Sequence, residues 1–177
     1  MKQHFIVCLL MALFSHPLSS LAQPNMGGPD QKFMSFAANA GIRVKTKRLS
    51  SGVQLQYAEK GKAGGLPVIF LHGITDSWHS FESVLPLLPE SIHAFAITQR
   101  GHGDSERPAR GYKTRDFAAD VAAFIRDNKL GPSIIVGHSM GGVNTLQFAV
   151  DYPGLVKGIV IIDSDPDFSD NAGLPEF

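Results

Sequence analysis

Two patterns of apolar and polar positions run along this chain, and the switch between them marks its elements. Ile42 and Val44, then Val53, Leu55 and Tyr57, alternate with polar residues, and Ser51-Gly52 lies between the two runs. A period of two broken by a glycine turn predicts a hairpin of half-buried strands. Val68 to Leu71 and Ala94 to Ile97 are instead unbroken apolar runs, as strands buried on both faces require. Ser133 to Gly137 and Val156 to Ile162 predict two more strands. Between these lie three helical stretches. Ser77 to Leu88 is the first and Met140 to Tyr152 the last. Thr114 to Leu130 is the clearest, with Phe117, Val121, Phe124 and Ile125 on one face and Asp120, Arg126 and Asp127 elsewhere. After the hairpin, strands and helices alternate. The expected fold class is therefore α/β, a mostly parallel sheet with helices on both faces.

Residues 1–22 follow a different logic. Lys2 supplies a positive start, Phe5 to Phe14 is unbroken apolar sequence, and Ser20-Leu21-Ala22 places small residues where a signal peptidase reads them. The apolar run falls short of the roughly 20 residues that cross a bilayer. Residues 1–22 are expected to be a cleaved signal peptide, residues 23–41 a flexible leader rich in Gly, Pro and polar residues, and residues 42–177 the folded part. Cleavage would remove Cys8, the only cysteine. A cysteine-free product suits an oxidising compartment, secreted or periplasmic, with no stable membrane anchor after processing.

Composition narrows the partners. The 177 residues carry 16 Lys+Arg and 16 Asp+Glu, a formal net charge of +0. That balance offers no electrostatic footprint for nucleic acid. A single cysteine excludes an internal disulfide framework, and no His/Asp/Glu cluster has metal-ligand spacing. No cofactor is expected, since Gly61 to Gly65 matches neither phosphate-binding glycine pattern.

One motif carries chemistry. Gly137-His138-Ser139-Met140-Gly141 fits G-x-S-x-G and falls between a predicted buried strand and a predicted helix. There a serine sits on a sharp turn with its hydroxyl clear of the sheet, and the flanking glycines let strand and helix approach. The helix N-terminus presents free N–H groups to developing negative charge. A second constellation, Leu71-His72-Gly73-Ile74-Thr75-Asp76, follows the buried strand 68–71. An acyl-transfer serine needs two donors for its oxyanion. Met140 N–H, just after the serine, and Ile74 N–H are the candidates. His72 is expected to brace its loop, and His138 to pack beside the turn.

The order of HGITDSW (72–78), QRGHGDS (99–105) and GHSMGG (137–142), each after a buried strand, resembles the α/β-hydrolase superfamily. The likeness is strongest to the group that holds esterases, carbon–carbon bond hydrolases and proline iminopeptidases. Epoxide hydrolases and haloalkane dehalogenases share that group with an Asp nucleophile. The resemblance runs from about residue 42 to about 165. It implies a serine hydrolase acting on a small-molecule ester, amide or similar substrate. Ser139 falls on the nucleophile, Ile74 and Met140 on the oxyanion hole, and His72, Gly73, Gly137, His138 and Gly141 on supporting positions. Many relatives have Asp where this chain has Thr98, two residues before Arg100. Arg100 and Asp104 are expected to brace their turn.

By that resemblance the acid and then the histidine follow the serine. None of the seven histidines (4, 16, 72, 79, 93, 102 and 138) follows Ser139. Asp163, after the last strand, is a weak candidate for the acid. The pattern reads as the amino-terminal portion of such a domain, stopped after its sixth strand. A non-catalytic ligand-binding or interaction protein of the same fold is the alternative.

Overall fold

The computed structural model describes residues 7–8 and 41–164. The hairpin forms where the alternation predicts it, from strands β2 (Arg43–Arg48) and β3 (Gln54–Lys60), paired antiparallel. The expectation of two half-buried strands holds for β3 only. β2 is exposed at every position but Lys47, with Val44 38% exposed, because it is the last strand of the sheet and is paired on one side alone.

The apolar runs become β4 (Leu66–Leu71), β5 (Ile92–Ile97), β6 (Ser133–His138) and β7 (Val156–Ile162). A two-residue strand, β1 (Val7–Cys8), pairs parallel with β7 at Val160 and Ile161. The order across the sheet is β1-β7-β6-β4-β5-β3-β2, antiparallel at β2–β3 and β3–β5 and parallel elsewhere. Apart from Val7–Cys8, the expected signal peptide and all of the leader but Gly41 lie outside the described residues.

Because successive side chains point to opposite faces, each buried strand feeds two cores. Ile69, Leu71, Phe95, Ile97 and Ile135 face one core, completed by helix α1 (Thr114–Asp127) and by Phe148 of helix α2 (Met140–Asp151). Val68, Phe70, Ala94, Ala96 and Val136 face the other, closed by Trp78, Phe81 and Leu85. The helix expected over Ser77–Leu88 is instead two short 3-10 turns, Trp78–Phe81 and Leu85–Leu87. Pro86 has no N–H to continue a helix, and Pro89 pushes Leu88 into extended backbone at φ −73, ψ 138. α1 stops at Asp127, before the predicted end. Lys129 turns left-handed at φ 54, and the Leu130 N–H caps the Ile125 carbonyl at 2.9 Å.

Asp120 lies off the apolar face of α1, as its position predicts, and is nonetheless buried. It is 3% exposed, its carboxylate held by Arg100 through two bonds of 2.6 Å. Among the described residues no helix is long and apolar enough to cross a membrane.

Candidate functional site

The turn between β6 and α2 is shaped by its glycines. A Cβ on Gly137 would stand 2.2 Å from the Gly141 carbonyl oxygen, and one on Gly141 would stand 2.1 Å from that of Leu71. Neither contact is sterically possible, so only glycine lets strand and helix approach this closely at these two positions. The chain between them bends sharply at Ser139, which adopts φ 50, ψ −120. Positive φ in a residue other than glycine is strained and persists only where its surroundings hold it. Here four bonds hold it, one of them the longer bond from Val143 N–H to the Ser139 carbonyl at 3.3 Å. Ser139 N–H donates to the Ile162 carbonyl at 3.0 Å, Gly142 N–H donates to the Ser139 carbonyl at 2.8 Å, and the Ser164 hydroxyl donates to that same carbonyl. The Ser139 side chain does not cap α2. Among the described residues nothing hydrogen-bonds its hydroxyl.

The loop after β4 lies against this turn. A Cβ on Gly73 would come within 3.3 Å of Ser139 Cβ and 3.1 Å of His138 Nδ1. Thus the structure brings together Ser139, Met140, His138, Gly73 and, one residue on, Ile74. Among the described residues neither Ile74 N–H nor Met140 N–H donates to another group. Met140 N–H, next in sequence to the serine, and Ile74 N–H, next to Gly73, are thus left without a partner among them.

His72 is fully buried, and both its ring nitrogens are engaged. Nδ1 bonds the Gly73 carbonyl at 2.7 Å, and Nε2 receives the Gln99 N–H at 2.9 Å. Burial drives its pKa down to about 4, with the nearby His102 and His138 adding to the shift and the Gly73 bond opposing it. At neutral pH His72 is uncharged, with no free lone pair to take a proton from Ser139. His102 packs edge-on to His72 at 5.1 Å between ring centroids, and its Nδ1 meets the Arg100 carbonyl at 2.9 Å. Asp163 is exposed, at φ 47 just beyond β7. Among the described residues it has no histidine partner, and none of the histidines bonds Ser139.

The structure also reveals residues that sequence reasoning passed over. Gln99 Nε2 donates to the His72 carbonyl at 2.8 Å, and Asn144 Nδ2 donates to Gln99 Oε1 at 2.8 Å. Gln99 and Asn144 are 3% and 1% exposed. Asn144 was marked only as a polar residue among Val143, Leu146 and Phe148, which does not name a partner, and Gln99 lies in the polar run after Ile97, where nothing singles it out. Thr98 is resolved too. Its hydroxyl accepts from Trp78 N–H at 3.2 Å and donates to Gln56 at 3.3 Å, so the turn holds without the Asp common in relatives. Arg100 braces that turn as expected, through Asp120 and the Gly111 carbonyl, and Asp104 accepts from Gln56 Nε2 at 2.8 Å. Among the described residues no group of three or more His, Cys, Asp or Glu is placed to hold a metal ion.

A family model described as alpha/beta hydrolase fold matches residues 67–176. The chain belongs to the α/β-hydrolase family. It is 39% identical over 135 residues to a 2-(acetamidomethylene)succinate hydrolase of Mesorhizobium japonicum, covering 75% of this chain and 48% of that protein. It is 34% identical over 116 residues to a soluble epoxide hydrolase of Corynebacterium sp., covering 66% of this chain and 40% of the relative. Among solved structures, wild-type Cfl2 from Burkholderia cenocepacia superposes with a TM-score of 0.69 at 32% identity, covering 76% of this chain and 46% of the other. The α/β-hydrolase chain described here thus spans less than half the length of the curated relatives it matches.

Proposed function

We propose that this chain carries the nucleophile portion of a serine hydrolase that cleaves an ester, amide or related acyl bond through an acyl-enzyme on Ser139. The observation that carries the reading is the strained backbone of Ser139, held at φ 50 beside Gly73 with its hydroxyl unbonded among the described residues. In this reading Ser139 Oγ attacks the acyl carbon as its proton passes to a base. Met140 N–H and Ile74 N–H receive the oxyanion that forms, the leaving group takes the proton, and water then releases the acyl group. The name of the Mesorhizobium relative, a hydrolase of an acetamido compound, supports an acyl substrate. The epoxide hydrolase likeness points elsewhere, but epoxide opening through a carboxylate ester needs Asp where this chain has Ser139.

The base and its orienting acid are assigned to a longer protein, since His72 is spent on its loop and no histidine follows Ser139. The same observation favours the second reading, a non-catalytic relative of this fold. A fluorophosphonate probe on the full-length protein separates the two. Labelling at Ser139, with labelling and turnover abolished by Ser139→Ala, is expected; loss of a nucleophile of this kind costs on the order of 10⁶ in kcat. An unlabelled Ser139 in folded, full-length protein selects the non-catalytic reading.

The amino-terminal signal sequence adds a location to the proposal. Residues 1–22 direct export, with cleavage after Ala22. Mass spectrometry of the exported protein is expected to find Gln23 at its start, and an intact Met1 on a membrane-bound product would contradict it.

A further inference from the structure

Three buried polar side chains outside the proposed reaction, His72, Gln99 and Asn144, form one chain of hydrogen bonds beneath the Gly73–Ile74 loop. Each bond has only one possible direction. A carbonyl oxygen only accepts, so the Gly73 bond requires a proton on His72 Nδ1. A backbone N–H only donates, so the Gln99 bond requires a bare Nε2. Two independent partners thus demand the same neutral tautomer. Likewise, Gln99 Nε2 is committed to the His72 carbonyl, which leaves Oε1 for the Asn144 amide.

The consequence lies in the peptide planes. In a trans peptide the C=O and the next residue's N–H point in opposite directions, and no peptide among the described residues is cis. Holding the Gly73 carbonyl against His72 Nδ1 therefore aims the Ile74 N–H the other way. Holding the His72 carbonyl against Gln99 aims the Gly73 N–H in the same manner. Asn144 stands on α2, five residues beyond Ser139, so its bond to Gln99 ties this loop to the helix that carries Met140.

We propose that Gln99 and Asn144, acting through His72, are positioning residues that aim the Ile74 N–H at the oxyanion and fix its spacing from the Met140 N–H. This rests on the serine hydrolase reading. Such an arrangement acts on charge that exists only in the transition state, so its loss belongs in kcat rather than KM.

The test uses full-length protein, p-nitrophenyl acetate, and Ser139→Ala in parallel. Gln99→Met and His72→Leu are expected to lower kcat by about 100-fold, as for loss of one oxyanion donor, with KM within about threefold. Asn144→Leu is expected to act in the same direction. His72→Asn places an amide N–H near the position of Nδ1 and is expected to recover at least about tenfold over His72→Leu, which a merely space-filling role for His72 would not produce. ¹⁵N NMR of unsubstituted protein at pH 7 is expected to show the His72 proton on Nδ1, whatever the folding of the variants. His72 protonated on Nε2, or Gln99→Met with unchanged kcat while Ser139→Ala is inactive, would overturn the inference. Full turnover by Ser139→Ala would instead remove the serine reading, and this inference with it.

Discussion

At the scale of the residue, the conformation of Ser139 is costly without the chemistry it permits. Its side chain forms no cap on α2, and its backbone sits at positive φ. A strained position of this kind costs on the order of 1–3 kcal/mol in a residue with a Cβ, whereas glycine adopts positive φ freely. Ser139→Gly is therefore expected to stabilise the fold by about 1 kcal/mol, after the entropy that glycine adds to the unfolded chain. In the full-length protein that is a rise of about 2 °C in Tm. The same variant loses all fluorophosphonate labelling. Differential scanning calorimetry beside the labelling assay reads both, and a lowered Tm would show that Ser139 supports the turn rather than being strained by it. Gly141 makes the opposite case, since the Leu71 carbonyl occupies the space any Cβ would need.

Between elements, the decisive contact is Arg100 with Asp120. The pair joins the turn after β5 to α1 through two bonds of 2.6 Å, and Arg100 Nη1 reaches the Gly111 carbonyl at 2.7 Å. Both side chains are nearly buried, at 8% and 5% exposure. A buried pair of this kind can add little net stability over an apolar replacement, but removing one partner strands the other charge away from water. Asp120→Ala is expected to destabilise the full-length protein by about 3–5 kcal/mol in urea unfolding. The double change Arg100→Met with Asp120→Leu is expected to recover most of that loss. A single variant costing less than about 1 kcal/mol would mean that water reaches the guanidinium.

The whole sheet has two unlike edges. β2 presents Arg43, Lys45, Lys47 and Arg48, and strongly basic edge strands resist pairing with other chains. Glu59 bridges Arg43 and Lys45, so the charges are held in place without being removed from the surface. β7 carries Val156, Ile159, Val160, Ile161 and Ile162, all only half-buried, and among the described residues β1 alone pairs with its outer side, at two positions. An apolar edge of that length is a template for further strands. The 177-residue chain expressed by itself is expected to self-associate, with a concentration-dependent elution volume and light-scattering mass. It is also expected to turn over p-nitrophenyl esters poorly, since a serine without a base is a weak nucleophile. A stable monomer with rapid Ser139-dependent turnover would refute both expectations and would point to His102 or His138 as the base.

The order of strands and helices, the hairpin and the turn at Ser139 were legible in the sequence because each rests on short-range constraints. An apolar run needs two covered faces, a period of two needs one, and Gly137 and Gly141 mark a close approach that only glycine allows. Local rules also mark the break at Pro86, although the helical pattern around it conceals the two short turns. Only the tertiary structure decided which polar residues are buried and with whom. Asp120 meets Arg100 across 20 residues of chain, Gln99 meets His72 across 27, and Asn144 meets Gln99 across 45. Burial makes each of these groups costly until it is paired, and the partner is set by how the sheet stacks its strands. For the same reason the tautomer of His72, invisible in the motif around it, is set in part by the Gln99 backbone N–H, just beyond β5, that folds beside it.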